Sequence, residues 1–198
     1  MQSKLQSIAD VSSISSGYTF RGPVEAEITG DIFVVQGKNL IANAELFDTA
    51  NFSRVSSIGI RNPYFLQHND VLLTSRGSGL GTFRSSLFTS DKKNVIASSS
   101  VIIIRSKDIT VIPKYISLYL NSPEGQQDLL QIVTGGSYIQ SLLVKNLSDL
   151  LIPIPPLHIQ KSIVALQENV FEQEKLLKRR QKIQQNLVDA SFMNLINK

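Results

Sequence analysis

Cysteine is absent from this sequence of 198 residues, and no long hydrophobic run occurs in it. The absence of cysteine excludes disulfide bonds, thiolate zinc sites and thiol nucleophiles, which leaves burial of apolar side chains as the main source of stability. No stretch approaches the roughly 20 consecutive apolar residues that a membrane span needs, and residues 1–10 lack the basic-then-apolar pattern of a secretory signal. We therefore predict a cytoplasmic protein with no membrane partner.

A strong excess of charge of one sign is also missing. The 20 Lys and Arg residues against 16 Asp and Glu residues give a net charge of +4, which permits a polyanionic partner without requiring one. Ser, Thr, Asn and Gln are plentiful, and their side chains hydrogen-bond to base edges and phosphates. An ordinary solvated surface explains this composition equally well.

Short β-branched runs separated by turn-forming residues occupy the segment 32–104. They are Ile32–Val35, Val71–Thr74 and Val101–Ile104, each flanked by Gly, Asn, Asp or Ser. This pattern predicts the strands of a mostly antiparallel, strongly curved sheet. Further along, Pro113 stands where a helix can begin and Pro123 interrupts the apolar spacing, which predicts two short helices.

Three prolines at positions 153, 155 and 156 mark a predicted boundary. Proline cannot donate to a sheet ladder, so we predict that residues 153–156 are a stiff extended connector between a domain of residues 1–152 and a tail of residues 157–198. From Leu157 to Asn197 there is neither Gly nor Pro. That segment is predicted to be one continuous helix about 60 Å long.

An apolar stripe at heptad spacing runs along this predicted helix. An isolated helix is marginal in water, and about 60 Å exceeds the size of a domain of about 150 residues, so we favour a second chain as its partner over its own domain. The a and d positions predicted to carry dimerisation are Ile159, Ile163, Leu166, Val170, Leu177 and Leu187. Polar residues at other a and d positions are either register devices or a solvated helix end; they include Gln173, Arg180 and Gln184. The predicted fold class is α+β: a β-rich domain with short helices, followed by one long coiled-coil helix.

No pattern of catalytic or metal-binding residues emerges. The glycine-rich segment Arg76–Gly81 lacks the helix and the Lys-Ser/Thr pair of a nucleotide site. Asn62–Phe65 is similar to the Asn-Pro-Pro-Tyr tetrapeptide of DNA amino-methyltransferases, but one proline and a cofactor-binding unit are missing. His68 and His158 stand alone, without metal-ligand spacing. We predict a chain that is not an enzyme and that needs no metal or cofactor.

A series of fragments, taken in order, resembles the specificity subunits of type I restriction-modification systems. Asn69–Gly77 is similar to their Gly-Asp-Ile-Leu-x-x-Arg-Gly strand, with Asn69 in place of the first Gly. The tryptophan-containing lead-in that is common in that family is missing. The other matching fragments are Ile8–Val11, Ser16–Phe20, Ile96–Arg105, Tyr119–Gln126, Gly135–Ser137 and Leu151–Pro156, followed by Gln160 and Ile163.

This resemblance implies a target-recognition domain that binds double-stranded DNA for methyltransferase and restriction subunits. A complete subunit of the family has two recognition domains and two helical spacers, each domain reading half of a split site, whereas this sequence has one of each. Two copies with antiparallel helices would restore the two-site arrangement as a homodimer, and they would recognise a palindromic, interrupted site.

The loops around the glycine-rich segment are the predicted DNA contacts. Arg grips guanine edges bidentately, Ser and Gln hydrogen-bond to bases, and Lys or loop amides hold phosphates. The predicted DNA-binding residues are Tyr18, Thr19, Arg21, Lys38, Thr74, Arg76, Ser78, Arg84, Ser137, Tyr138 and Gln140. The base sequence of the target depends on loop geometry and is not predicted.

Alternatives remain for the tail and for the whole chain. The basic cluster of the tail is most simply a solvated flank of a coiled coil, and otherwise it follows the DNA backbone or docks on a methyltransferase subunit. That cluster consists of Lys175, Lys178, Arg179, Arg180 and Lys182. The main rival function is a homodimeric coiled-coil adaptor that binds a protein instead of DNA, and a nuclease or methyltransferase is the third.

Overall fold

The computed structural model describes residues 3–46, 48–58, 60, 64–136 and 138–196. The chain divides into two compact units, residues 1–160 and residues 161–198. The first unit contains all the described strands and the four short α-helices, and the second contains most of one long helix.

Strands and helices do not alternate regularly along the chain, which is typical of the α+β class. In chain order they are β1 Lys4–Ser7, α1 Ile8–Val11, β2 Ser12–Ser16, β3 Ile32–Val35, β4 Glu45–Leu46, β5 Ser53–Val55, β6 Asp70–Thr74, β7 Arg76–Gly77, β8 Ser85–Phe88, β9 Val95–Ala97, β10 Val101–Ser106, α2 Pro113–Asn121, α3 Pro123–Ile132, β11 Thr134–Gly135, β12 Gln140–Ser141, α4 Val144–Asp149, β13 Leu151–Ile154 and α5 Leu157–Ile196.

The described strands form four sheets. The largest has the order β2-β10-β6-β8-β4, and the smaller ones are β5-β3-β9, β11-β12-β7 and β1-β13. Neighbouring strands are antiparallel except in the pairs β3 with β9 and β4 with β8. The sequence predicted a mostly antiparallel arrangement but one sheet; the separate sheets and the two parallel pairs come from long crossover connections, which local patterns do not reveal.

The side chains of β10 alternate between two apolar clusters. Ile102 packs in one cluster with Leu120 of α2, and Ile103 packs in the other with Phe88 of β8. This follows from the period of two in a strand, since successive side chains point to opposite faces. Both faces of the five-stranded sheet are therefore covered, which explains why its central strands are unbroken apolar runs.

Helices α2 and α3 match the two short helices that the prolines predict. Each has its proline in the first turn, and the Ser122 hydroxyl caps α3 by accepting a hydrogen bond from the Gly125 amide at 3.1 Å. Helix α4 was not predicted, because its six residues are too few for a clear helical period.

Part of the proline-rich segment belongs to the first unit. Pro153 and Ile154 lie in β13, where they pair with Leu5 and Lys4 of β1. An edge strand tolerates proline because its outward amide positions need no partner in the sheet. The carbonyl oxygen of Pro153 accepts a hydrogen bond from the Tyr115 hydroxyl at 2.6 Å, which ties this strand to α2.

Helix α5 is continuous over 40 residues from Leu157 to Ile196, in agreement with the absence of Gly and Pro; Asn197 lies outside the described residues. Its first turn is held by Gln160, whose side chain is fully buried. The side-chain Oε1 of Gln160 accepts a hydrogen bond from the backbone amide of Ile112 at 2.9 Å, and its Nε2 donates to the carbonyl oxygens of Thr110 and Pro155. None of the helices in the described ranges is both long and apolar enough to cross a membrane.

Candidate nucleic-acid interface

A turn of three serines, Ser98–Ser100, connects β9 to β10 and brings several loops together at one end of the large sheet. We call it the serine turn. The Ser99 amide donates to the Tyr18 carbonyl at 2.8 Å, and the Ser75 hydroxyl donates to the Ser99 carbonyl at 2.9 Å. The Ser100 hydroxyl accepts a hydrogen bond from the Gly37 amide at 2.9 Å. The ends of β2, β3, β6 and β10 are thereby fixed beside one another.

Three of the cationic residues that were predicted to contact DNA lie around the serine turn. Arg76 directly follows Ser75, and Lys38 directly follows Gly37. Arg84 reaches the same place from the start of β8, because its Nη2 donates to the Gly37 carbonyl at 3.4 Å. All three cationic side chains are exposed. This end of the sheet therefore offers positive charge to a partner, which suits the phosphates of a nucleic acid.

The glycine-rich loop beside the serine turn is held in shape by Thr82. Its hydroxyl accepts hydrogen bonds from the amides of Ser78 and Gly79 at 3.0 and 3.2 Å, and it donates to the Gly79 carbonyl at 2.6 Å. A Cβ at Gly77 would lie 2.3 Å from the Thr82 Oγ1, so this position needs glycine for the close approach. The Ser78 side chain is left exposed at the loop surface, and strand β8, not a helix, follows.

Gln126 of α3 anchors the same loop from inside the protein. The side chain is only 4% exposed, and its Oε1 accepts a hydrogen bond from the Gly81 amide at 3.0 Å. Its Nε2 donates to the carbonyl oxygens of Phe83 and Leu120 at 2.7 and 2.6 Å. Sequence analysis missed this role; the available signal was a polar residue three positions before Leu129, on the buried face of α3.

A second loop lies directly beside the glycine-rich loop. Strand β12 pairs with β7, so that Gln140 is opposite Gly77 and Ser141 is opposite Arg76. Tyr138 precedes this pairing and is 89% exposed. The Gln140 Oε1 is shielded from solvent and has no hydrogen-bond partner among the described residues. The predicted contact Ser137 lies outside the described residues.

Thr74 is placed differently from a residue that contacts DNA directly. It is only 3% exposed, and its hydroxyl accepts a hydrogen bond from the Arg84 amide at 3.0 Å. A hydroxyl that is buried and occupied in this way positions Arg84 and is not available to a base edge.

Tyr18, Thr19 and Arg21 line a separate open groove of about 580 Å³. Glu25 and Glu27 line the same groove. Their carboxylates bring negative charge close to Arg21, which makes this groove less suited to phosphate than the surroundings of the serine turn. Tyr18 contacts both this groove and the serine turn, because its carbonyl oxygen accepts a hydrogen bond from the Ser99 amide.

The opposite end of the large sheet carries an ion pair that joins two of its strands. Asp70 is fully buried and binds Arg105, and this hydrogen bond raises the pKa of the Arg105 guanidinium. His68 lies in an open groove at this end, and Asn62 and Pro63 of the methyltransferase-like tetrapeptide lie outside the described residues. Over the described ranges, no group of three or more His, Asp and Glu residues is close enough together to hold a metal ion.

Three solved structures from type I restriction-modification systems have a similar fold. A structure on the basis of complex assembly and conformational transition of such a system has a TM-score of 0.64 and 18% identity, over 90% of this chain and 40% of that chain. The S subunit from M. genitalium has a TM-score of 0.55 and 18% identity, over 86% of this chain and 39% of that one. The HsdS subunit from Thermoanaerobacter tengcongensis has a TM-score of 0.59 and 20% identity, over 90% and 39%.

At these identities the likeness shows the fold, and the present chain spans about two fifths of the length of each of those chains. No curated protein matches the sequence. The family model described as the type I restriction modification DNA specificity domain matches residues 3–185, which takes in nearly all of the first unit and much of α5. This match confirms the resemblance found in the ordered sequence fragments. The chain belongs to the family of type I restriction modification DNA specificity domains.

Proposed function

We propose that this chain recognises one half of an interrupted DNA site and presents that site to methyltransferase and restriction subunits, without catalysis of its own. The observation that carries the proposal is the serine turn, which gathers Lys38, Arg76 and Arg84 at one end of the sheet in a chain of this family. Lys and Arg supply salt-dependent affinity through phosphates, and side chains at base edges supply specificity. Because the chain would act on cellular DNA, we also propose that it is cytoplasmic.

We propose different roles for these residues. Arg76 lies in strand β7, Ser78 lies in the glycine-rich loop that follows it, and both side chains are exposed. We therefore assign them to base edges. Arg84 already donates to the Gly37 carbonyl, and Lys38 follows that glycine. Both are assigned to phosphates, which tolerate a shared or mobile donor better than a base edge does.

We propose that residues 1–152, together with Pro153 and Ile154 of β13, form the recognition domain and that residues 157–198 form the spacer and dimerisation helix. The apolar stripe of α5 is exposed in the single chain: Leu166 is 69% exposed and Leu177 is 58% exposed. We propose that another helix covers this stripe. A second copy in antiparallel orientation gives a two-fold axis and two recognition domains, and hence a palindromic split site.

The main experiment compares the genome-wide DNA methylation pattern of cells with and without this chain, in the presence of its cognate methyltransferase subunit. We expect one interrupted, palindromic methylation motif to disappear when the chain is removed. Purified chain and methyltransferase should also bind duplexes carrying that motif more tightly than scrambled duplexes, with a steep loss of affinity as salt rises. A methylation pattern that stays unchanged, together with binding that ignores sequence and salt, would favour the protein-binding adaptor.

Pairing through α5 is tested by the molar mass in solution. We expect a dimer at micromolar concentration for the natural chain and a monomer for Leu177→Asp, because the substitution puts a charge in the apolar stripe. Lys175→Asp is the matched control, since it makes the same side chain on the opposite side of the helix. A natural chain that is strictly monomeric would contradict the pairing and leave single-site DNA recognition untouched.

A further inference from the structure

Three large apolar side chains are exposed at the tip of the two adjacent loops. Leu80 of the glycine-rich loop is 63% exposed, and Tyr138 and Ile139 before β12 are 89% and 65% exposed. The pairing of Gly77 with Gln140 brings the two loops side by side. We call Leu80, Tyr138 and Ile139 the apolar tip.

The apolar tip sits on loops whose charge is entirely positive. Residues 75–84 and 134–141 include Arg76 and Arg84 and contain no Asp or Glu. Large apolar groups flanked by arginines and without any carboxylate complement a stack of bases between two phosphate backbones. The same charge disfavours a basic protein surface as the partner.

Hydrogen bonds brace the glycine-rich loop and strand β12, which directly follows Ile139. Thr82 bonds three backbone groups within the glycine-rich loop, and Gln126 fixes the Gly81 amide from the buried side. Strand β12 hydrogen-bonds on both sides, to β7 and to β11. Side chains on a mobile loop would lose conformational entropy when they order on DNA, whereas groups on braced loops lose less.

We infer that the apolar tip enters the base stack of the bound duplex, with the ring of Tyr138 between two neighbouring base pairs or against an opened step. This inference rests on the proposed function, because it needs DNA on the end of the sheet that carries the serine turn. Apolar side chains that part a base step kink the duplex, and pyrimidine–purine steps open most readily. The tip therefore adds a preference for an easily opened step, in addition to the base contacts assigned to Arg76 and Ser78.

The test uses the full chain assembled with its methyltransferase subunit, on duplexes that carry its methylation motif. 2-Aminopurine, whose fluorescence rises when it is unstacked, replaces one adenine at a time within a half-site and its flanks. The adenine that becomes methylated is left unlabelled, because modifying enzymes flip their target base on their own account. We expect a fluorescence rise at one step for the natural chain.

Two substitutions of Tyr138 distinguish the contribution of its ring from that of its hydroxyl. Tyr138→Ala should abolish the fluorescence rise and weaken binding to the motif about tenfold, in the range found for loss of one stacking aromatic. Tyr138→Phe should keep both, because stacking needs only the ring. Ile109→Ala is the control: Ile109 is 95% exposed, follows β10 at the other end of the sheet, and should change neither signal. Leu80→Ala is a second variant, expected to reduce the fluorescence rise.

Several outcomes would overturn the inference. Tight, sequence-dependent binding without a fluorescence rise at any position would reject the inference and leave the proposed function standing. Weaker binding of Tyr138→Ala with an unchanged rise would assign the tip to the groove wall instead of the stack. Normal DNA binding by Tyr138→Ala with loss of the methyltransferase subunit would make the tip a protein contact. Failure of the natural chain to discriminate between duplexes would remove the proposed function as well.

Discussion

Arg105 holds the fully buried carboxylate of Asp70 through two parallel hydrogen bonds of 2.7 Å, from Nε to Oδ1 and from Nη2 to Oδ2. The backbone amide of Gln67 donates to the same carboxylate at 2.7 Å, and the Arg105 guanidinium lies 4.6 Å from the centre of the Tyr64 ring. The pair joins β6 to β10 at the end of the sheet away from the serine turn. A charge with no access to water depends on such partners.

Arg105→Ala should therefore reduce the free energy of unfolding by about 3 kcal/mol, because the carboxylate of Asp70 is left buried without its cation. Urea unfolding followed by circular dichroism measures the change. Adding Asp70→Asn to Arg105→Ala should recover part of the loss, since the amide carries no charge. Lys107→Ala, at an exposed neighbouring position, is the control and should change stability little. A loss below about 1 kcal/mol for Arg105→Ala would show that the pair matters less than its burial suggests.

Gln126→Leu should lower both the free energy of unfolding and the affinity for DNA. The substitution leaves the carbonyl oxygens of Phe83 and Leu120 buried without a donor, at a cost of about 2 kcal/mol. It also frees the Gly81 amide and thus the glycine-rich loop. Gln127→Leu makes the same change at the adjacent exposed position and should leave both quantities near those of the natural chain. Equal effects of the two substitutions would mean that Gln126 does not position the loop.

Arg76→Ala and Lys38→Ala should differ in how they weaken DNA binding. Arg76→Ala is expected to cost roughly 1 to 3 kcal/mol on the cognate duplex and to relax specificity at one base pair. Lys38→Ala should weaken binding to all duplexes and lower the slope of log K against log salt by about 1. Titrations of cognate and scrambled duplexes at several salt concentrations measure both effects. Equal weakening by Arg76→Ala on scrambled DNA would reassign Arg76 to a phosphate.

Alkaline pH should destabilise the first unit through two tyrosines. Burial raises the pKa of Tyr119, which also donates a hydrogen bond to Asp128, and burial raises the pKa of Tyr115. Above pH about 10 the unfolded chain loses these protons while the folded chain keeps them, so the free energy of unfolding falls as pH rises. Below that pH, the contribution of the two protonated tyrosines to the free energy of unfolding is fully present. Urea unfolding between pH 8 and about 11 should show the fall, and Tyr119→Phe should make it shallower. An identical slope for Tyr119→Phe would contradict the assignment.

The elements that sequence analysis predicted well are those with a long or strongly marked pattern. Central strands β6 and β10 are unbroken apolar runs, proline begins α2 and α3, and α5 continues because no Gly or Pro stops it. The parts it missed depend on tertiary contacts. The hydroxyl of Thr82 and the amide of Gln126 look like ordinary polar groups in the sequence, and only the folded chain shows that both organise one loop.

The departure at Asn69 from the family's usual glycine has a structural explanation. Asn69 has a φ of 70°, in the left-handed region that glycine enters freely, and asparagine tolerates that region better than most residues. Its amide donates to the Phe88 carbonyl at 2.8 Å, so the turn before β6 is preserved. The sequence showed that a substitution had occurred, but the backbone angle explains why it is acceptable.

The coverage of the five-stranded sheet on both faces has a consequence for how recognition by this protein can diversify. With helices on one side and the second apolar cluster on the other, the strand ends are the part of that sheet left for an outside partner. Residues at those ends can be exchanged for others without disturbing the packed interior, as long as supports such as Thr82 and Gln126 stay in place. If the chain recognises DNA as proposed, a new DNA target can arise by loop replacement alone, so that selection for stability and selection for new specificity act on different residues.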